Sequence, residues 1–171
     1  LARACALRPQ QAEFSSQFAV TRFVLAEYAD LEKELRAQLQ THPLDQSACE
    51  RLCDVLVARG RTPEAQTVVA QYRQAATPYR DTMGADPERG VRQHLLYLTG
   101  DFAALEKETQ LARDAEAKYT RFVALIELGR VAEAVKLLPP GDKNSANPFH
   151  FLNTVIALRA AGAEAEAASW W

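Results

Sequence analysis

A small residue recurs at regular intervals along the chain, each time between two stretches of helical character. Gly60, Gly100, Gly129 and Gly162 follow one another at spacings of 40, 29 and 33 residues, and Ala26 lies 34 residues before the first of them. Glycine readily adopts the left-handed backbone conformation that ends a helix and permits a tight turn. The spacing therefore predicts a series of helix pairs, each with a small residue at its internal turn.

Prolines mark the other helix ends. Pro9, Pro43 and Pro78 lie 34 and 35 residues apart, and each follows a stretch rich in alanine, leucine and glutamine. Because proline lacks an amide donor and clashes with the preceding helical turn, each of these positions predicts the end of a helix. The composition agrees, since the best helix formers, alanine and leucine, are abundant and β-branched residues are scarce. We predict an all-α chain.

One short segment occurs twice in similar form. Residues 26–34 (AEYADLEKE) align with residues 100–108 (GDFAALEKE). The alignment places Ala26 at the position of Gly100, so residues 10–41 are predicted to form a helix pair rather than one long helix.

The charges are mixed in sign and nearly balanced. A net charge of −2 and a pI near 6.0 argue against nucleic-acid and anionic-membrane binding, which need a basic surface. No apolar run reaches the roughly 18–20 residues of a membrane span, so membrane insertion is not predicted. The charged residues of the repeated segment, Glu32 to Glu34 and Glu106 to Glu108, are typical of a solvated helix face.

Three stretches share one pattern of leucine, glycine and alanine. It is LCxxLxxxGxxxxA at residues 52–65, LxxxGRxxEA at 125–134 and LxxxGxxxxA at 158–167. The pattern resembles the tetratricopeptide repeat family, and the Gly-x-x-x-Glu-Ala core at 129–134 is its best single match. The resemblance implies an all-α, right-handed solenoid of antiparallel helix hairpins. Another kind of helical-hairpin solenoid would show similar spacing.

The turn signals divide the chain into one predicted array of about five hairpins. They are 10–41, 45–77, 89–112, 115–138 and 148–171, preceded by a helix at 1–7 whose partner is missing. Both ends look cut, which predicts an excerpt of a longer protein. Residues 77–91 are predicted to form a long linker. Helix starts are predicted from the N-cap residues Asp45, Asp101 and Asp114 and from the first-turn prolines Pro63 and Pro148.

The sequence carries no catalytic or nucleotide-binding motif, so we expect neither an enzyme nor a cofactor. Cys49 and Cys53 lie four residues apart on one helix face, and two thiolates at that spacing could share a metal ion. No further ligands accompany them, which favours a packing role. With Cys5 the cysteine number is odd, which favours a reducing compartment such as the cytoplasm, although the bacterial envelope remains compatible.

The family resemblance implies that the first helix of each pair lines a concave groove, and the same register turns Asp54 inward. The candidate partner-binding residues there are Phe23, His94, Tyr97, Tyr119, Val123, Phe149, Asn153 and Ile156. Only Asn153 matches the Lys, Arg and Asn set with which family members hold a C-terminal carboxylate, so that ligand is not predicted. An apolar, aromatic groove suits a partner helix or an extended apolar segment. Packing of these residues against the next hairpin or a neighbouring domain is the alternative.

These observations predict a non-enzymatic scaffold that binds a protein or peptide partner. The alternative is a regulatory or positioning domain of a larger enzyme or of a secretion or envelope assembly, with catalysis outside these 171 residues.

Overall fold

The computed structural model describes residues 22–83, 86–111, 115–137 and 148–169, and these are helical with no strand, which confirms the all-α prediction. The α-helices in chain order are α1 (Tyr28–Thr41), α2 (Gln46–Ala58), α3 (Thr62–Ala76), α4 (Arg80–Met83), α5 (Arg89–Thr99), α6 (Phe102–Thr109), α7 (Ala115–Glu127), α8 (Val131–Leu137), α9 (Pro148–Ala160) and α10 (Glu164–Ala168). Residues 22–24 end a preceding helix. The predicted helix at 1–7, Cys5 and the predicted N-cap Asp114 lie outside the described residues.

The turns within the helix pairs have the conformation that the spacing predicted. The left-handed residues are Ala26 (φ 58°), Gly60 (71°), Gly100 (72°), Gly129 (72°) and Gly162 (76°). At Gly60 the following amide, Arg61 N, donates to Leu56 O at 2.8 Å, and the equivalent bond recurs after Ala26, Gly129 and Gly162. These bonds satisfy the last carbonyl groups of the preceding helix, so at these four turns a left-handed residue ends the helix and turns the chain back.

Two predicted N-caps are confirmed. Asp45 Oδ1 accepts a hydrogen bond from Ala48 N at 2.9 Å, and Asp101 Oδ1 accepts one from Ala104 N at 3.1 Å. Each bond satisfies an amide that the first helical turn leaves without a partner. Pro63 lies in the first turn of α3, where no amide donor is needed.

The long linker predicted at 77–91 is wrong for its first half. A 3-10 turn at Thr77–Tyr79 continues directly from α3 and leads into α4. Thr77 Oγ1 donates to Arg73 O at 2.8 Å, and Pro78 occupies the start of the 3-10 turn, where it removes no needed hydrogen bond. Proline therefore ends the α-helix here without ending helical structure.

The chain divides into two compact units, residues 1–99 and 100–171. In the first unit α2 packs against α1, α3 and α5. Its core is built from leucine, valine and small residues, among them Leu31, Leu52, Leu56, Val68 and Val91. Ala65, at the close approach of α3 to α2, is fully buried.

In the second unit α7 packs against α6, α8 and α9, and α9 packs against α10. Its core contains Phe122, Leu125, Val155, Leu158 and the fully buried Ala134. The boundary between the units falls inside the predicted hairpin at 89–112. One continuous array of five hairpins stays a prediction. Across the described ranges, no helix combines the length and the apolar character needed to cross a membrane.

Candidate interaction site

The helices α2 and α5, which were predicted to be the first helices of successive pairs, lie side by side and parallel. At their starts Gly90 approaches Gln46 so closely that a Cβ on Gly90 would lie 2.5 Å from Gln46 Nε2. Further along both helices, His94 Nε2 lies 2.7 Å from Asp54 Oδ1. Because early residues meet early residues and later residues meet later ones, the two helices run in the same direction.

Asp54 anchors this contact. Asp54 is only 8% exposed, and its second carboxylate oxygen, Oδ2, accepts a hydrogen bond from Arg51 Nη1 at 3.0 Å. A buried carboxylate without partners would be strongly destabilising, so the arginine and the imidazole compensate its burial. His94, a predicted groove residue, therefore also holds α5 against α2.

Tyr97 lies one turn after His94 on α5 and is 50% exposed. We call the surface formed by Arg51, Asp54, His94 and Tyr97 the inner face. Phe23, another predicted groove residue, is half-buried instead: it packs against the core of the first unit, and its ring centroid lies 5.3 Å from that of Tyr28. For Phe23 the structure supports the internal-packing alternative.

In the second unit the predicted residues also divide into buried and exposed ones. Tyr119 and Val123 pack against the core, and the Tyr119 ring stacks on Phe122 with 6.3 Å between centroids. Ile156 on α9 is 55% exposed. The side chains of Phe149 and Asn153 lie outside the described part of the chain. Their place in the groove, like the groove as a whole, stays a prediction.

A groove that the sequence did not suggest lies between α1 and α3, above α2. Its floor is formed by Cys49 and Leu52, and its walls by Leu39, Val68 and Tyr72, around a cavity of about 310 Å³. We call it the outer groove. Its walls come from the second helices of two pairs, whereas the family pattern drew attention to the first helices. The only sequence feature that could have indicated this groove was the spacing of apolar residues on α3, and the same residues also form part of the core.

At Glu32 the structure corrects the prediction that the charged residues of the repeated segment form a solvated helix face. Glu32 is only 9% exposed, and three arginines surround it: Arg36 at 2.9 Å, Arg61 at 2.7 Å, and Arg59. Burial by itself would raise the pKa of Glu32, but the hydrogen bonds from Arg36 and Arg61 outweigh it and hold the pKa below its usual value. Lys33 and Glu34, its neighbours in the repeated segment, are exposed.

The cysteine pair packs in the core. Cys49 and Cys53 are free and fully buried. Hydrogen bonding to Cys53, together with burial, raises the pKa of the Cys49 thiol far above its ordinary value. Because the thiolate is the reactive and metal-binding form, this thiol is unsuited to either role at neutral pH. Among the residues that the structure describes, no group of three His, Cys, Asp or Glu could hold a metal ion.

These features define an all-α protein of short packed helices, two of which, α2 and α5, lie side by side in parallel. Residues 1–96 match the family model for the bacterial transcriptional activator domain, a helical domain similar to tetratricopeptide repeats. The match covers more than half of the chain, so the chain belongs to this family. It includes the Asp54–His94 contact and the outer groove. Neither the curated proteins nor the solved structures contain a match to the chain.

Proposed function

We propose that this chain is a non-enzymatic protein-interaction domain of a bacterial transcriptional regulator, and that its inner face binds a segment of a partner protein. The observation that carries the proposal is the half-exposed Tyr97 beside the Asp54–His94 contact on two parallel helices. The family match supports the transcriptional context.

The inner face has the physical properties of a binding surface. The Asp54–His94 bond fixes α5 relative to α2, so the face is formed before a partner arrives and loses little conformational entropy on binding. A tyrosine buries a large apolar ring and keeps a polar hydroxyl, which makes it a frequent anchor of protein interfaces. The face combines charge and aromatic area, so it suits a partner segment with both apolar and polar side chains.

The non-enzymatic part of the proposal is supported by the chemistry of the described side chains. The Cys49 thiol, a potential nucleophile, is buried with a raised pKa. His94 forms a hydrogen bond with a buried carboxylate that Arg51 also binds. In this arrangement the imidazole and the carboxylate stabilise the packing of two helices.

Site-specific photo-crosslinking tests the proposal. A benzoylphenylalanine replaces Tyr97 in the protein as encoded, expressed in its native host, and the matched control carries the same group at Gln66, an exposed position on α3. We expect one discrete protein adduct from position 97 and none from position 66. Tyr97→Ala should weaken the same complex by about 1–2 kcal/mol, as expected for an interface anchor, without lowering the melting temperature.

The other outcomes are equally informative. An adduct within the same polypeptide would favour the regulatory or positioning domain of a larger protein. An adduct with DNA would make the inner face a nucleic-acid interface. Identical adducts from positions 97 and 66, or none from either, would contradict the proposal.

A further inference from the structure

We propose that the segment between α3 and α5 has a closed and an open state, and that the ion pair between Arg80 and Glu88 holds it closed. This segment, residues 77–83, consists of the 3-10 turn Thr77–Tyr79 and of α4, and we call it the connecting segment. Its opening would leave the rest of the first unit folded. The proposal does not depend on the function proposed above, because no residue of the connecting segment belongs to the inner face.

Packing does not hold the connecting segment in place. The side chains at positions 77–82 are all exposed, and the four-residue α4 packs mainly against the 3-10 turn before it. The side-chain hydrogen bonds within the segment are local: Thr77 Oγ1 donates to Arg73 O at 2.8 Å, and Thr82 Oγ1 donates to Tyr79 O at 3.0 Å. A segment with so few buried contacts opens at a small cost in free energy, well below that of unfolding the core.

Glu88, directly before α5, is the fixed end of the ion pair. It is only 3% exposed, and two other arginines compensate the burial of its charge. Arg73 Nε on α3 lies 3.2 Å from Glu88 Oε1, and Arg92 Nη1 on α5 lies 3.8 Å from the same oxygen. Neither arginine belongs to the connecting segment. The carboxylate therefore keeps two cations beside it when the segment opens, which limits the cost of opening.

Arg80 ties the connecting segment to this carboxylate. Its Nη2 lies 3.6 Å from Glu88 Oε1, a distance too long for a hydrogen bond, and its side chain is 43% exposed. Within the described ranges this is the one ion pair made by the segment, since the neighbouring Asp81 is exposed and makes none. Water and dissolved salt weaken an ion pair of this kind, so its strength should depend on ionic strength.

The second carboxylate oxygen of Glu88 brings the two states closer in free energy. All three arginines approach Oε1, whereas the buried Oε2 has no hydrogen-bond partner in the part of the chain that the structure describes. A buried oxygen without a donor is costly. Opening of the connecting segment would bring Oε2 nearer to solvent, and this gain offsets part of the loss of the Arg80 ion pair.

Hydrogen exchange followed by mass spectrometry tests the proposal on the protein as encoded. Arg80→Met keeps a long side chain and removes its charge, and we expect the amides of the connecting segment to exchange about two- to fivefold faster in this variant, as expected for the loss of a partly exposed ion pair. Asp81→Asn is the matched control, because it changes a charge in the same segment that makes no ion pair, and it should exchange like the parent. Amides of α2 should exchange equally in all three proteins.

Ionic strength gives a second measurement. Raising sodium chloride from about 0.1 M to about 1 M shortens the range of electrostatic interactions from about 10 Å to about 3 Å. This change should accelerate exchange of the connecting segment in the parent and in Asp81→Asn, but not in Arg80→Met.

Four results would overturn the proposal. They are unchanged exchange in Arg80→Met, the same acceleration in Asp81→Asn, the same response to salt in the parent and in Arg80→Met, and complete exchange of the segment in the parent at the earliest time measured. Equal acceleration of the α2 amides would also overturn it, because the segment would then open only when the whole unit unfolds.

Discussion

Glu32 in the first unit and Glu106 in the second occupy the same position of the repeated segment, six residues after the residue at the helix turn. Glu32 pairs with three arginines and is 9% exposed. Glu106 has one close partner, Arg121 at 2.9 Å, with Arg130 farther away at 3.8 Å. The glutamate at this position thus has three arginine partners in the first unit and one close arginine partner in the second.

The arginine that follows the turn glycine is common to both units. Arg61 follows Gly60 and pairs with Glu64, three residues on, while Arg130 follows Gly129 and pairs with Glu133 in the same way. Only Arg61 comes within hydrogen-bond distance of the glutamate on the preceding pair, at 2.7 Å. The repeated segment therefore marks a contact between the second helix of one pair and the turn of the next. The flanking residues decide how strong this contact is.

The largest expected effect comes from two buried alanines, each of which lies five residues after the glycine at a helix turn. Ala65→Arg and Ala134→Arg should each lower the free energy of unfolding by about 3–5 kcal/mol, because both residues are fully buried where two helices meet and the new side chain brings volume and charge. Urea titration followed by circular dichroism measures the change. The exposed neighbours on the same helices, Ala70→Arg and Ala132→Arg, serve as controls with little expected effect. A variant at 65 or 134 that melts within a degree or two of the parent would contradict the packing of that helix pair.

Removing the two equivalent carboxylates tests the comparison directly. Glu32→Gln should destabilise the protein by about 2 kcal/mol and Glu106→Gln by about 1 kcal/mol, because the first change leaves three arginines with a weaker acceptor and the second leaves one close partner. Both values allow for partial solvation of the arginines. Glu133→Gln, in an exposed pair, is the control with the smallest loss. Equal losses at positions 32 and 106 would show that the number of arginine partners does not matter.

The Glu32 cluster should also contribute a pH dependence. Against the effect of its burial, hydrogen bonds from Arg36 and Arg61 lower the pKa of Glu32, so its ionised form stabilises the fold above the unfolded-state pKa of about 4.3. This contribution is lost as the pH falls below that value and through the lower pKa of the folded state. The stability difference between the parent and Glu32→Gln should therefore stay constant near neutral pH and narrow in this acidic range.

Denaturant titrations at a series of pH values measure this difference. Hydrogen bonding to Arg61 lowers the pKa of Glu64, and Glu64 shares Arg36 and Arg61 with Glu32, so the difference reports the pH dependence of this whole ionic cluster. Hydrogen bonding to Arg92 lowers the pKa of Asp86, but Asp86 shares none of these arginines and cancels in the subtraction. A difference that does not change between neutral pH and pH 3 would contradict the proposed role of the Glu32 charge.

The smallest expected effects concern the turn residues. Ala26 adopts φ 58°, a conformation that is unfavourable for residues with a Cβ, so Ala26→Gly should stabilise the protein by up to about 1 kcal/mol. Gly129→Ala should destabilise it by about the same amount, because no atom lies within 4 Å of the new Cβ and only the backbone conformation is penalised. Thermal melts of both variants measure the changes. Opposite signs are expected, and a destabilising Ala26→Gly would show that the methyl group makes a compensating contact.

Helix limits could be predicted closely from the sequence. The structure ends α1 at Thr41 and begins α5 at Arg89 and α9 at Pro148, where the predicted hairpins end at 41 and begin at 89 and 148. The signals are local: a left-handed residue, a capping aspartate or a proline acts within one turn of its own position. Local signals failed after Pro78, where the chain continued as a 3-10 turn and a short helix.

The interaction surfaces were less predictable. The register predicted that Asp54 and His94 lie on the inward faces of their helices, and the structure joins the two side chains by a hydrogen bond. The same register did not show that Phe23 and Tyr119 pack against the cores, because periodicity gives the face of a helix and not what covers that face. The outer groove depends on how far apart α1 and α3 lie on α2, which no local pattern specifies.

The sequence by itself determined the all-α character, several helix limits and the left-handed turns, because backbone conformation responds to residues a few positions away. Only the tertiary structure decided which charges are buried. Glu32 reads as part of a solvated face, yet arginines 27 and 29 residues farther along the chain reach it when α2 packs on α1. The burial of a charge depends on the partners that folding brings to it, and at Glu32 and Glu106 the same local sequence received different partners.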